Sequence, residues 1–523
     1  MTQRKIVVYD TTLRDGAQGE GVHFSVKDKL LYVQKMAEVG IPYLEAGWPG
    51  ANPRDEEFFQ EVSKMSFSQT KIAAFGSTCR VMEAPEKSDI LAKLLASGAS
   101  TITIFGKAWD LHVHDVLRGS LDDNLRIIKE SIAFLKAAGR DVFFDAEHYF
   151  DGFKENQGYA LKCVEAAIAG GASVIILCDT NGGALPEEIK GAVSAAKVLP
   201  VPELGIHVHN DGGLAVANSI AAVEAGVTQV QGCWNGFGER CGNANLSVLV
   251  PLLQLKKGYE VVDESVLPQI THLSRYVADL ANYPFDEKQP FVGRSAFAHK
   301  AGMHVDAILK NRRTFEHIEP SQVGNERRIL VSDQAGKANI WERMRRIEPE
   351  IRKEDPRVEV AMTQIKELEN QGFQFETADG SLDLLFMRVL DKFEPPFQLL
   401  EYHVWSDPLR GELDSVAVVK VQMGSEIVHI AAEGNGPVHA LDQALRQALR
   451  GFFPVIEESE LVDYKVRVLD GASGTEAVVR VIVQTHLGHS DWGTIGVSSN
   501  ILRASAQALL DSLYLAIGKG NGN

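Results

Sequence analysis

His207 and His209 are separated by one residue at the end of a short apolar run, Leu204 to Val208, that predicts a β-strand. Because residues i and i+2 of a strand point to the same face, both imidazoles can bind one metal ion. Two ligands are only half of a metal site. The alternative is that both histidines are packed or solvated at the strand end without binding a metal.

Asp15 follows the first apolar run of the chain, Ile6 to Tyr9. In a closed barrel the first and seventh strands open onto the same rim, so Asp15 is predicted to add a carboxylate to the two imidazoles. This ligand set, with open positions, suits a divalent ion that also holds a chelating substrate. Arg14 is predicted to bind a substrate carboxylate or to stabilise an oxyanion, the alternative being an ordinary surface arginine.

Three further polar residues that follow apolar runs are candidates for the same site. Glu147 is predicted to orient a group or to remove a proton, and Thr180 to donate a hydrogen bond to a substrate carboxylate. Asn243, which lies in a glycine-rich turn, is predicted to complete the metal shell. The chain has no GxGxxG after its first strand and no GxxxxGK[ST], so dinucleotide and P-loop chemistry have no support.

A second HxH motif, His112-Val113-His114, follows the stretch 107–111, which predicts a loop or the start of a helix. Residues i and i+2 diverge there, so this motif is not predicted to bind a metal. His112 is a candidate for substrate contact. Cys241 has no paired base at a readable spacing and is interpreted as structural.

The elements that must position these residues form a regular series through about residue 240, in which apolar runs alternate with helical periodicity. Eight such runs predict a closed (β/α)₈ TIM barrel whose strand ends carry the polar residues, and a doubly wound open sheet is the main alternative. The runs are Ile6 to Tyr9, Tyr43 to Ala46, Lys71 to Phe75, Thr101 to Phe105, Asp141 to Phe144, Ser173 to Leu177, Leu204 to Val208 and Gln229 to Cys233.

The pattern changes after the eighth run. We expect a catalytic barrel over 1–285, mainly helical linker subdomains over 286–395 and an α+β module over 396–523. The last region shows signs of a duplication, because the residues before its first helix (427–436) are similar to those before its second (492–500).

Composition excludes several classes of protein. The 523 residues carry a formal net charge of −17, spread along the chain, which disfavours nucleic acid as a partner. No apolar run is long enough for a membrane span, and the first residues lack the pattern of a secretory signal. Five cysteines without CxxC spacing argue against a disulfide framework, so we expect a cytoplasmic chain with reduced thiols.

Three motifs occur in order along the chain: Leu13-Arg14-Asp15-Gly16-Ala17-Gln18, His207-x-His209-Asn210-Asp211-x-Gly213-x-Ala215 and Gly238-Glu239-Arg240-x-Gly242-Asn243. Together they resemble the family of 2-isopropylmalate, homocitrate and citramalate synthases. The resemblance covers nearly the whole chain, and it implies that the C-terminal module is a regulatory domain of the LeuA type. Within the family, residues 46–53 and 145–148 are most similar to the citramalate synthases.

The resemblance implies an acyltransferase that converts an acyl group to an alkyl group on transfer, by joining acetyl-CoA to pyruvate on the route to isoleucine. It also implies a divalent ion, Mg²⁺ or Mn²⁺ with Zn²⁺ as an alternative, bound by Asp15, His207 and His209 with Asn243. The roles that it assigns are alkoxide stabilisation by Arg14, acid/base work by Glu147, carboxylate binding by Thr180 and a contribution of His304 from a partner subunit, hence a homodimer.

One departure from the family pattern concerns hydrolysis of the thioester. Isopropylmalate synthases carry a tyrosine in the stretch that corresponds to 323–328, and this chain has none there. Isoleucine is the expected feedback effector, bound between the halves of the C-terminal module near Asn435, Gly436 and Gly496.

The nearest rival is a 2-isopropylmalate synthase, which would use 2-oxoisovalerate. A lyase of the same superfamily, a metal-dependent hydrolase on the same barrel and a non-enzymatic amino-acid sensor are more distant alternatives. The added C-terminal module argues against the lyase, and the position of the metal motif after the seventh strand argues against the hydrolase.

Overall fold

The computed structural model describes residues 4–331, 335–407, 415–469, 474, 476–488 and 490–520. Met1 to Gln3, which entered the interpretation of the N-terminus, lie outside the described residues. All five cysteines are free thiols, four of them buried. Among the described residues no helix combines the length and apolarity needed to cross a bilayer. The chain divides into two compact units, one of Met1–Phe297 with Ile318–Glu326 and one of Ala298–His317 with Arg327–Asn523.

The first unit is built on a closed barrel of eight parallel strands in sequential order, which confirms the predicted TIM barrel. The last strand returns to pair with the first, with Tyr9 opposite Gln231 and Asp10 opposite Gly232. The strands are β1 (Val7–Asp10), β2 (Tyr43–Gly47), β3 (Lys71–Ser77), β4 (Thr101–Lys107), β5 (Asp141–Glu147), β6 (Val174–Asp179), β7 (Leu204–Val208) and β8 (Gln229–Gly232).

Helices surround the barrel strands because their apolar residues recur at three and four and face the sheet. In α5, for example, Ile127, Ile128, Ile132 and Leu135 are buried. The helices of this unit are α1 (Val26–Glu38), α2 (Pro53–Val62), α3 (Asp89–Ala96), α4 (Asp110–His112), α5 (Leu121–Ala137), α6 (Tyr149–Glu155), α7 (Gln157–Gly170), α8 (Pro186–Ala196), α9 (Ala215–Ala225), α10 (Leu246–Pro251) and α11 (Ile270–Leu280).

The segment 318–326 joins the first unit although it follows the barrel by many residues. Thr271 of α11 donates a hydrogen bond to the carbonyl of Val323 (2.7 Å), and Asn325 donates to the carbonyls of Phe291 and Gly293. The domain boundaries at 285 and 395 stay a prediction.

The second unit contains a short parallel pair of strands, a group of helices and two antiparallel sheets. The elements are β9 (Ala298–His299), α12 (Gly302–Lys310), β10 (Arg328–Ile329), α13 (Lys337–Met344), α14 (Pro356–Asn370), α15 (Asp379–Val389), β11 (Gln398–Ser406), β12 (Ser415–Met423), β13 (Glu426–Gly434), α16 (Pro437–Leu449), β14 (Glu460–Val468), β15 (Val479–Leu487), β16 (Ser490–Ser498) and α17 (Ile501–Gly520).

The two sheets repeat one pattern of three antiparallel strands followed by a helix, β11-β12-β13 with α16 and β14-β15-β16 with α17, as the duplication predicted. The sequence pattern predicted strands over 417–422, 426–432, 464–469 and 477–484, and it did not predict β11 or β16. Gly496, which we expected near the start of a helix, lies inside β16, opposite Val481. A Cβ at Gly496 would overlap the carbonyl of Ala504, so this position serves close packing of helix on sheet.

Candidate active site

Asp15 lies in a tight loop that follows β1 at the C-terminal rim of the barrel. The amides of Arg14 and Gly16 both donate to the carbonyl of Thr11 (3.1 Å each), and the amide of Thr11 itself donates to Gly232 of β8 (2.9 Å). The loop is therefore fixed to the last strand of the barrel as well as to the first. It turns the Asp15 carboxylate inward, where the residue is only 3% exposed.

His207 and His209 project from the end of β7 toward Asp15, and both are buried. Their Nε2 atoms are 3.3 Å apart. The nearer carboxylate oxygen of Asp15 is 3.6 Å from Nε2 of His207 and 4.0 Å from Nε2 of His209. These three ligand atoms form a potential metal-binding group among the described residues, with the alternation of strand side chains placing both rings on one face.

Asn243 is brought to the same point by a segment that runs beside the end of β7. The amide of Ala244 donates to the carbonyl of Val208 (3.1 Å), and the Asn243 side-chain amide donates to Asp15 (2.8 Å). A Cβ at Gly238, where φ is +149°, would overlap that side-chain amide. Glycine is therefore required at this position for Asn243 to approach Asp15.

The charges at this point suit a cation. Burial lowers the pKa of His207 to about 3, although Asp15 opposes that change, and burial also lowers the pKa of His209. Burial alone would raise the pKa of Asp15, but Arg14 and then the two histidines hold it well below its usual range. Neutral imidazoles and an ionised carboxylate are the forms that bind metals.

Buried polar atoms that lack a partner among the described residues indicate whether these side chains suit a divalent ion. The Oδ1 atom of Asn243 is buried and accepts no hydrogen bond within the described residues, and it lies beside Asp15 and the two histidines. A buried acceptor without a donor is unfavourable, and a bound cation would give this oxygen a partner. The residues therefore fit the ion that the sequence predicts.

Arg14 is held beside this group by two carboxylates and an aromatic ring. Its guanidinium donates to Asp15 (2.7 Å) and to Glu45, and it lies over the ring of Phe75 at 3.6 Å from the centroid. Burial opposes the charge, but Glu45 and Asp15 raise the pKa of Arg14 above its ordinary value. Glu45 is itself fixed by the hydroxyls of Tyr9 (2.8 Å) and Thr11 (2.6 Å).

Glu147 lies at the end of β5 and forms an ion pair with Lys107, which ends the neighbouring strand β4. The Glu147 side chain is 23% exposed, so its carboxylate is open toward the rim. Among the described residues, Glu147 makes no hydrogen bond or ion pair with Asp15, His207 or His209, and its acid/base role stays a prediction.

Thr180, His148 and His112 lie further along the rim. The Thr180 hydroxyl accepts a hydrogen bond from the amide of His148 (2.9 Å), which leaves the hydroxyl proton free to be donated to a ligand. His148 has a left-handed backbone (φ 58°), and its ring lies 4.1 Å from that of His112. His112 also stacks on Trp109 (5.3 Å), and its buried Nδ1 atom makes no hydrogen bond with the residues that the structure describes.

His304, predicted to come from a partner subunit, lies on α12 of the second unit. The residue is exposed, and its ring stacks on Phe315 with the centroids 4.1 Å apart. The first unit therefore gathers Asp15, His207, His209, Asn243 and Arg14, and it does not include His304.

The sequence interpretation assigned no role to three buried polar residues of the barrel interior. Glu45 binds Arg14, Gln231 bonds to His207, and Asp145 accepts a hydrogen bond from Gln231 (3.4 Å). A signal for each was present, because each is a polar residue inside or at the end of an otherwise apolar run.

Comparison with known proteins decides the family. Residues 5–277, more than half of the chain, match the family model described as HMGL-like. The chain belongs to the HMGL-like family. Residues 291–372 of this HMGL-like protein match the homocitrate synthase post-HMGL domain-like model, and residues 376–516 match the LeuA allosteric (dimerisation) domain.

Relatives of the HMGL-like chain extend over its full length. The (R)-citramalate synthase of Geobacter sulfurreducens is 46% identical over 516 residues, which are 98% of this chain and 98% of the relative. That of Synechocystis sp. is 46% identical over 97% of this chain and 95% of the relative. The 2-isopropylmalate synthase of Heliobacterium modesticaldum is 30% identical over 99% of this chain and 98% of the relative. The predicted resemblance to this group of synthases is confirmed.

Proposed function

We propose that this protein is an (R)-citramalate synthase, an acyltransferase-type enzyme that joins acetyl-CoA to pyruvate and releases citramalate and CoA. The observation that carries the proposal is the gap in identity between two groups of full-length relatives. Five citramalate synthases are 42–46% identical to the chain over 97–98% of its length, and three 2-isopropylmalate synthases are 30% identical over 98–99% of it.

The metal group supports this chemistry. When bound by Asp15, His207 and His209, with Asn243 as a fourth ligand, a divalent ion supplies Lewis-acid polarisation of the 2-oxo acid carbonyl. We propose Mg²⁺ or Mn²⁺, with Zn²⁺ as the alternative that two imidazole ligands also allow. Thr180 accepts a hydrogen bond from the amide of His148 and donates its hydroxyl proton to the carboxylate of the 2-oxo acid.

The protein residues then carry the proton and charge changes of the condensation. Glu147 takes a methyl proton from acetyl-CoA, the resulting carbanion forms a bond to the keto carbon, and the carbonyl electrons move to the oxygen. Arg14 stabilises the negative charge on that oxygen, and the oxygen then takes the proton that Glu147 holds. Attack of water on the thioester then breaks the carbon-sulfur bond and releases CoA with its thiol.

Four features of the organisation belong to the proposal. We propose a homodimer in which His304 acts in the site of the partner, as the match to a dimerisation domain over residues 376–516 supports. The proposed domains are 1–285, 286–395 and 396–523. His112, which is partly exposed, is proposed to contact the substrate. A cytoplasmic location remains a prediction.

Feedback inhibition by isoleucine is proposed for the C-terminal module, near Asn435 and Gly436 at the beginning of α16. The Gly436→Glu variant of the full chain should weaken inhibition by isoleucine and leave the uninhibited rate unchanged, because a negative side chain at the helix start repels a carboxylate. Unchanged inhibition in this variant would place the effector elsewhere.

The test of the reaction is a thiol-release assay with a panel of 2-oxo acids, with and without a chelator. We expect kcat/KM to be highest for pyruvate and CoA release to stop when the metal is removed. A higher kcat/KM for 2-oxoisovalerate would instead assign 2-isopropylmalate synthesis. No CoA release with any 2-oxo acid would leave the alternative of a non-enzymatic sensor.

A further inference from the structure

Gln231 is a buried amide inside the barrel, next to one of the metal ligands. It lies in β8, is fully buried, and its Oε1 atom is 2.9 Å from the Nδ1 atom of His207. A carbonyl oxygen can only accept a hydrogen bond, so the proton of the His207 ring must be on Nδ1. Nε2 of His207 then carries a lone pair, which it presents toward His209 and Asp15.

The orientation of the Gln231 amide is set from its other side. Its Nε2 atom donates across the barrel interior to a carboxylate oxygen of Asp145 in β5 (3.4 Å), and Asp145 is only 4% exposed. With the amide reversed, its NH₂ group would face His207. The ring proton would then move to Nε2, and His207 would lose its metal-binding lone pair.

His209 has no such partner. Its Nδ1 atom is buried and makes no hydrogen bond with any described residue. Among the described residues, a side chain therefore bonds to the far nitrogen of His207 and none bonds to that of His209.

We propose that Gln231 is a positioning residue that holds His207 in the Nδ1-protonated tautomer and thereby prepares it to bind the divalent ion. The inference rests on the proposed function only in that both need the metal. Side chains of this kind, bonded to the far nitrogen of a ligand histidine, change metal affinity by about 10- to 100-fold when removed.

The chain offers a matched control on the same strand. Gln229 lies two residues before Gln231 in β8, is 1% exposed, and faces Gly205 across the strand pair. Its Oε1 atom has no hydrogen-bond partner among the described residues. Replacing it by methionine removes an equally buried amide of the same strand without touching a ligand histidine.

The experiment measures Mn²⁺ affinity by isothermal titration on the full chain after chelation, and the His207 tautomer by ¹⁵N NMR with labelled histidine. In Gln231→Met we expect the Mn²⁺ Kd to rise about 10- to 100-fold and the Nε2-protonated tautomer to appear. Gln231→Glu keeps an oxygen that accepts from Nδ1 and should retain the tautomer and bind Mn²⁺ more tightly than Gln231→Met. Gln229→Met should leave both readouts as in the wild type.

An unchanged Kd and tautomer in folded Gln231→Met would overturn the proposal, as would an equal loss of Mn²⁺ affinity in Gln229→Met. If Gln231→Met does not fold, a changed His207 tautomer in Gln231→Glu would also overturn the proposal, because that variant keeps the accepting oxygen. The readouts need no substrate, so the positioning role can hold even where the assay with pyruvate contradicts the proposed reaction.

Discussion

The chain contains the same three-letter pattern, His-Val-His, at two places with opposite results. At the end of β7 the backbone is extended, and the Nε2 atoms of His207 and His209 meet at 3.3 Å beside a carboxylate. At 112–114 the pattern crosses from α4 into a π-helical turn, where His112 packs on Trp109 and His114 is exposed. Spacing alone therefore does not indicate a metal site, since the backbone decides whether two side chains converge.

The most direct test of this difference replaces both histidines of one pair at a time. His207→Ala/His209→Ala should raise the Mn²⁺ Kd by about 100-fold or more and abolish CoA release, because half of the ligands are lost. The matched variant His112→Ala/His114→Ala should bind Mn²⁺ as the wild type does. Isothermal titration and the thiol-release assay provide the two measurements, and equal loss of metal affinity in both variants would contradict the distinction.

The two His-Val-His patterns also differ in the charged groups beside them, because Arg14 lies next to the histidines of β7. Arg14 contacts Asp15 and Glu45 there through two separate nitrogens, which the single ammonium of lysine cannot reproduce. Arg14→Lys is therefore expected to lower kcat by about 100-fold and to change the Mn²⁺ Kd far less. Steady-state kinetics at saturating Mn²⁺ measures the effect.

Arg126→Lys is the control for this prediction, because Arg126 pairs with Glu130 on the outer helix α5. It should retain the wild-type kcat. An Arg14→Lys enzyme with unchanged kcat would remove Arg14 from the catalytic group.

In the helical pattern 112–114, replacing His112 should affect substrate binding and leave metal binding unchanged. His112→Asn is expected to raise the KM for one substrate several-fold, the size of a lost hydrogen bond of about 1 kcal/mol, with Mn²⁺ affinity unchanged. His114→Asn, on the exposed side of the same turn, is the neighbouring control and should behave as the wild type. Equal KM values in all three proteins would separate His112 from the substrate.

The smallest effect concerns the protonation of His112. Burial, and then the neighbouring His148 and Lys107, lower its pKa below the ordinary 6.5. At pH values between the folded pKa and 6.5, the unfolded chain therefore binds more protons at His112 than the folded chain does. Protonation opposes folding there, so the free energy of unfolding rises with pH in that range. An NMR titration, with the signal assigned through His112→Asn, should give a midpoint below 6.5; a midpoint above it would show that the ring is not desolvated.

The barrel and the convergence of Asp15, His207 and His209 could be predicted because both follow from local pattern and one topological rule. Buried parallel strands are apolar throughout, and strand ends in a barrel share a rim, so Asp15 and the two histidines had to converge once the barrel was inferred. Strand β11 was missed because an edge strand with Glu401 and His403 on its surface does not show that pattern.

The contacts of Glu45, Asp145 and Gln231 could not be predicted in the same way. The bond between Gln231 and Asp145 joins residues 86 positions apart across the barrel interior. Which inward side chains share a layer depends on the tilt and stagger of all eight strands, and no single segment encodes that stagger. The close packing of Gly496 against Ala504 could not be predicted either, because it depends on how α17 packs on the sheet.

The pairing of β8 with β1 joins the two ends of the barrel sequence, and the ligands lie on both sides of that join. Asp15 is translated early and Asn243 late, yet their side chains are 2.8 Å apart. A ribosome-bound chain that ends before residue 243 cannot present the whole ligand set. Binding of the proposed ion would therefore require a closed barrel, and the ion would stabilise the closed barrel relative to partly open states.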